Sequence, residues 1–152
     1  MVHPYMHLEG LEGWLLLVGF GLVVSPFQLA HTIMTGNLPL LTDPAHRELL
    51  YGHGGIAALA VLAAGANIVF LVALLYLNYL FFTKSRFFPR GMVLYRALRT
   101  CELLVLAIAF SAAAAPPELH GAWGQFIRSF INSAIWIPYF LISRRVKVTF
   151  TR

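Results

Sequence analysis

The chain has 152 residues and a net charge of +5; 59% of its residues are hydrophobic and only 11% charged. Soluble domains carry roughly a quarter charged residues, so this chain lacks the means to cover a water-facing surface. Its basic residues flank long apolar blocks instead of lining one soluble face, which argues against nucleic acid as a partner. A single cysteine, Cys101, excludes an intrachain disulfide and a multi-cysteine metal site.

The first ten residues contain no Lys or Arg, and no small-residue cleavage site follows a short apolar core, so no cleavable signal is expected. Four apolar blocks then follow, at about residues 13–34, 55–82, 92–115 and 122–143. Each reaches the roughly 20 residues that cross about 30 Å of hydrocarbon as a helix. Gly36, Asn37, Pro39, Asp43 and Pro44 are expected to end the first block, Thr83–Gly91 divides the second from the third, and Pro116-Pro117 with Gly121 turns the chain into the fourth. A soluble four-helix bundle would need polar stripes at helical spacing, and the second block has none. Cys101, inside the third block, is expected to behave as a small buried hydrophobe.

The connector after the second block carries Lys84, Arg86 and Arg90, with Arg96 and Arg99 close behind, and the tail carries Arg144, Arg145, Lys147 and Arg152. The opposite side has only Arg47, beside Asp43 and Glu48. This bias predicts a single integral domain, an antiparallel four-transmembrane-helix bundle with both ends in the cytoplasm. Trp14, Tyr95, Trp123 and Tyr139 sit near block ends, as interfacial aromatics do. Gly19, Gly21, Ala63 and Gly65 are expected at close helix contacts.

Three stretches together resemble one family: Leu11-Glu12-Gly13-Trp14-Leu15-Leu16-Leu17 leading to Ser25-Pro26, the connector Phe82 to Arg90, and Ile135-Trp136-Ile137-Pro138-Tyr139 through Phe150. They resemble the YdgK-like bacterial inner-membrane proteins grouped as domain of unknown function 2569, over nearly the whole chain. The chain departs from the family's usual pattern at Glu12 and at Ile142. The resemblance implies a small multi-span bacterial membrane protein and brings no reaction or catalytic residues with it.

Ionisable residues at bilayer depth cost about 2.5 to 3.5 kcal/mol each on insertion scales and mark candidate sites. Counting depth along the blocks puts Glu102, Asn67 and Asn132 near the midplane, with Arg128 and Gln28 one turn further out. These five predict a polar core, with Glu102 and Arg128 partnering across helices. Its bland alternative is a network that only holds the helices in register. Pro26 and Pro138 each remove a backbone donor inside a span and are expected to kink it, and Ser25 is placed to re-satisfy a freed carbonyl. Lys84, Arg86, Arg90, Arg96, Arg99, Arg144, Arg145 and Lys147 are expected to meet anionic lipid at the inner face. His31, His46, His53 and His120 cluster toward the outer side without a metal-ligand spacing, so no metal and no cofactor are expected.

No nucleophile motif, phosphate loop or carboxylate pair is present. The leading expectation is a non-catalytic inner-membrane protein that binds anionic lipid, another membrane protein or itself. An oligomeric small-solute or ion permease or channel using the polar core is the first rival, and a membrane-embedded enzyme the second.

Overall fold

The computed structural model describes residues 14–44, 54–112 and 121–150, and every regular element there is helical. In chain order these are α1 (Trp14–Thr32), a π-helical turn (Ile33–Asn37), α2 (Leu38–Thr42), α3 (Gly54–Phe82), α4 (Phe88–Ala112), α5 (Gly121–Ile142) and α6 (Arg144–Thr149). Four of them, α1, α3, α4 and α5, are long. Arg47, His46, His53, Pro116-Pro117 and His120 lie outside the described residues.

The second and fourth blocks match α3 and α5 to within a residue at each end. The first does not stop at Gly36, Asn37 or Pro39. The wider π turn, in which the Leu38 N–H reaches the Ile33 carbonyl, carries the helix on into α2. Pro39 falls at the start of α2, where a proline is tolerated, and the helix ends at Asp43, whose extended ψ of 125° is what the following Pro44 enforces. The third block starts earlier than expected, at Phe88, which shortens the connector to 83–87. There α3 ends on a Schellman cap: Lys84 N–H bonds the Phe81 carbonyl, Ser85 N–H bonds that of Leu80, and Lys84 takes a left-handed φ of 53°.

The long helices pack chiefly in series, α1 on α3, α3 on α4 and, most extensively, α4 on α5. A crevice stands between α1 and α5. The core is concentrated at the connector end, where Leu15 and Val18 of α1, Phe81 of α3, Phe88 of α4 and Phe140 of α5 are buried together. The tail closes this end. Ser143 caps α6, accepting from the Val146 N–H, and the helix buries Val146, Thr149 and the adjoining Phe150 while Arg144 and Lys147 face outward. Phe150 stacks 4.7 Å from Phe88 and 5.7 Å from Phe81, ring centre to ring centre. Gly19 is required here, since a Cβ on it would lie 2.9 Å from the Phe81 ring. Gly21 and Gly65 make no comparable approach.

Large apolar side chains are exposed on the outward faces of all four long helices, among them Leu16, Phe27, Val69, Leu98, Ile108 and Ile135. Cys101 is also exposed, contrary to expectation, because its position on α4 faces away from both neighbouring helices. Among the described residues, two segments are long and apolar enough to cross a membrane, Leu15–Asn37 and Gly55–Phe82. The charges of α4 (Arg96, Arg99, Glu102) and the polar residues of α5 (Arg128, Asn132, Ser133) account for their lower hydropathy.

Pro26 removes the N–H that would bond the Leu22 carbonyl. Ser25 does not fill that gap; its hydroxyl donates to Gly21 at 2.6 Å. Asn78 fills it from α3, donating through Nδ2 to the Leu22 carbonyl at 2.9 Å and to its own Leu74 carbonyl at 3.0 Å.

Asn78→Leu should therefore lower the thermal stability of the detergent-solubilised protein by about 1 kcal/mol. In a Pro26→Ala background, where residue 26 supplies its own N–H, the same change should cost close to nothing. Equal costs in both backgrounds would show that the bond does not serve the proline. Phe150→Ala should cost about 3 kcal/mol. Lys147→Ala, on the exposed face of α6, should stay within about 0.5 kcal/mol of the parent in the same melts.

Candidate functional site

The polar side chains inside the helix array gather around α4. Arg99 and Glu102, three residues apart, occupy neighbouring positions on one face, and Arg99 Nη1 donates to Glu102 Oε2 at 2.8 Å. The guanidinium carbon of Arg99 also sits 5.0 Å from the centre of the Phe70 ring on α3. Arg96 lies one turn nearer the connector, and its Nε is buried with no acceptor among the described protein groups.

Two cavities meet at this helix. The first, of about 440 Å³, is the crevice between α1 and α5. Arg96 and Arg99 line it from α4, Ser25 from α1, and Ser129, Asn132 and Trp136 from α5, while Phe20, Leu22, Leu74 and Phe140 give it apolar walls. The second, of about 300 Å³, lies toward the far end, among the π turn, α3, α4 and the start of α5. Asn37, Asn67, Glu102 and Gln125 line it, with Ala60, Leu106 and Phe110. Arg99 and Leu103 are common to both linings, so the Arg99–Glu102 pair stands where the cavities adjoin.

Of the five residues expected to form a polar core, Asn67 is buried and Glu102 half-buried, and both line the far-end cavity. Asn67 Nδ2 lies 3.3 Å from Asn37 Oδ1, and with the Asn37 amide turned over, its oxygen accepts from Asn67 at 3.1 Å while its nitrogen donates to the Thr32 carbonyl. Gln28, Arg128 and Asn132 are exposed. Arg128 does not meet Glu102; its Nε donates to the Gly124 carbonyl of its own helix at 3.4 Å, and Asn132 donates to the Arg128 carbonyl. Matching depth was the basis for that pairing, and depth ignores which way each helix is turned. The face that α5 presents to α4 carries Ser129 and Ser133.

Those serines, missed in the sequence, hold α4 to α5. The Thr100 hydroxyl lies 2.9 Å from Ser129 Oγ and 2.8 Å from Ser133 Oγ, and Ser133 also reaches the Arg96 carbonyl at 3.5 Å. Their small-xxx-small spacing was the available signal. Asn78 was likewise overlooked, although it is a lone polar residue in the connector half of an uncharged block. At the opposite end of the interface Trp123 donates to the Ser111 hydroxyl at 2.9 Å.

The remaining candidates are dispersed. Lys84, Arg86, Arg90, Arg144 and Lys147 are exposed at the connector end, Arg86 lying over the Phe87 ring at 5.0 Å, and Arg145 belongs to α6. Pro26 and Pro138 both lie inside helices. His31 is exposed, its ring 3.5 Å from the Thr35 hydroxyl. Among the described residues no three His, Cys, Asp or Glu side chains come together as a metal set.

No curated protein and no solved structure matches the sequence. A family model, described as a protein of unknown function (DUF2569), matches residues 8–151. With almost the full length covered, the chain belongs to the DUF2569 family.

Proposed function

We propose that the chain is a single integral domain of the bacterial inner membrane that holds an anionic amphiphile in the crevice between α1 and α5. The observation that carries this reading is Arg96, whose buried Nε lacks an acceptor in a crevice also lined by Arg99. A guanidinium donor with no partner in apolar surroundings is costly, and a phosphate or carboxylate supplies the missing acceptor. The apolar walls from Phe20, Leu22, Leu74 and Phe140 suit an acyl chain. In this reading all four long helices cross the bilayer, which gives their exposed apolar faces a solvent that tolerates them. α4 crosses with Arg96, Arg99 and Glu102 turned into the helix array, and the exposed Arg128 of α5 reaches back along its helix toward Gly124 and the far end. The connector end, with Lys84, Arg86, Arg90, Arg144 and Lys147, faces the cytoplasm and its anionic leaflet.

Topology is tested with single cysteines at Thr42 and Ser85 in a protein lacking Cys101. An impermeant maleimide on intact cells should label Thr42→Cys and spare Ser85→Cys, and the reverse pattern would overturn the orientation. Native mass spectra from nanodiscs of mixed phosphatidylglycerol and phosphatidylcholine test the ligand. The parent should retain the anionic lipid preferentially. Arg96→Gln should reduce that preference about tenfold, in line with one charge-assisted hydrogen bond. Replacing Arg144, Arg145 and Lys147 by glutamine should weaken surface retention while leaving the crevice lipid in place. Retention by Arg96→Gln equal to that of the parent would remove the crevice from consideration.

A further inference from the structure

The far-end cavity has a chemistry opposite to that of the crevice. Asn67 is 8% exposed, and its Oδ1 is buried without a donor among the described protein groups. Glu102 Oε1 is in the same condition, since the Arg99 bond engages only Oε2. Both residues line one cavity of about 300 Å³, with the carboxamides of Asn37 and Gln125 and the hydroxyl-bearing Thr32 around it. Two buried acceptors in one place make a demand for donors.

Arg99 already balances the charge of Glu102 at 2.8 Å. The cavity is therefore short of hydrogens and not of positive charge, and a bound cation would leave an uncompensated charge in low-dielectric surroundings. We infer that the far-end cavity is a binding site for a small uncharged solute with paired O–H or N–H donors, a polyol or primary amide. Its donors meet Asn67 Oδ1 and Glu102 Oε1, the flanking carboxamides serve its remaining polar atoms, and Ala60, Leu106 and Phe110 cover its carbon skeleton. The volume sits at the lower end of the range of ligand pockets, which accommodates a small solute together with ordered water. This site shares no claim with the anionic crevice beyond the Arg99 wall, and each stands or falls on its own ligand.

The test uses the full chain in nanodiscs and saturation-transfer NMR with three probes: glycerol, acetamide, and N,N-dimethylacetamide, which keeps the carbonyl and lacks N–H. Glycerol and acetamide should give saturable transfer, and dimethylacetamide little. Asn67→Ala and Glu102→Gln should each weaken acetamide binding about tenfold, while Cys101→Ala, at an exposed position of α4 outside both cavity linings, should leave it unchanged. Transfer from all three probes alike would mean apolar filling, and transfer from none would mean the oxygens are served by water; either result overturns the proposal. The probe comparison on the parent protein decides the matter even if a substituted chain fails to fold.

Discussion

A buried carboxylate must be neutralised close to where it sits, and in this chain its own helix supplies the partner. Arg99 and Glu102 close on each other along α4 at 2.8 Å, so the charge of the carboxylate is met within the helix even though its Oε1 is left without a donor among the described protein groups. The α4–α5 interface is accordingly built from short hydroxyls, Thr100 against Ser129 and Ser133, which allow close approach and extensive packing. Arg128 is released to the exterior, where it folds back on its own helix. Packing in series from α1 to α5, with a crevice between the two ends of the row, gives the molecule two cavities on either side of the ion pair.

The same rule governs the backbone. Pro26 frees the Leu22 carbonyl inside α1, and the chain answers with Asn78, fifty-six residues after Leu22, on the helix that α1 packs against. This bond fixes where α1 and α3 meet, and the contact of Gly19 with Phe81 sits on the same interface. At the connector end the aromatic cluster of Phe81, Phe88 and Phe140 is completed by Phe150, so the tail forms part of the core that holds the long helices at their base.

Block length and composition made the long helices legible, because an uninterrupted apolar run such as 55–82 leaves few alternatives. What block length and composition do not carry is angular and conformational. Glu102 and Arg128 share a depth, yet at about 100° per residue a helix turns a side chain away within two positions, and Arg99 had the better direction on the same helix. Gly36, Asn37 and Pro39 carry strong turn chemistry, but a single wide turn absorbs them and the helix continues to Asp43. Asn67 was found because it lies deep in an uncharged block. Its neighbour Asn37 stands among Gly36, Pro39 and Asp43 in the sequence, whose turn chemistry points to a loop and hides the contact. The crevice was invisible from sequence, since it depends on which helix pairs do not pack.

Arg99 belongs to the walls of both cavities. Any group that draws its guanidinium toward one side takes it from the carboxylate at the edge of the other. Linkage makes that effect mutual: the factor by which an occupant on one side alters affinity on the other is returned in full in the opposite direction. An arginine shared by two chambers thus ties the charge balance of one to that of the other, and a shift of that single side chain would be felt on both sides with no helix having to move.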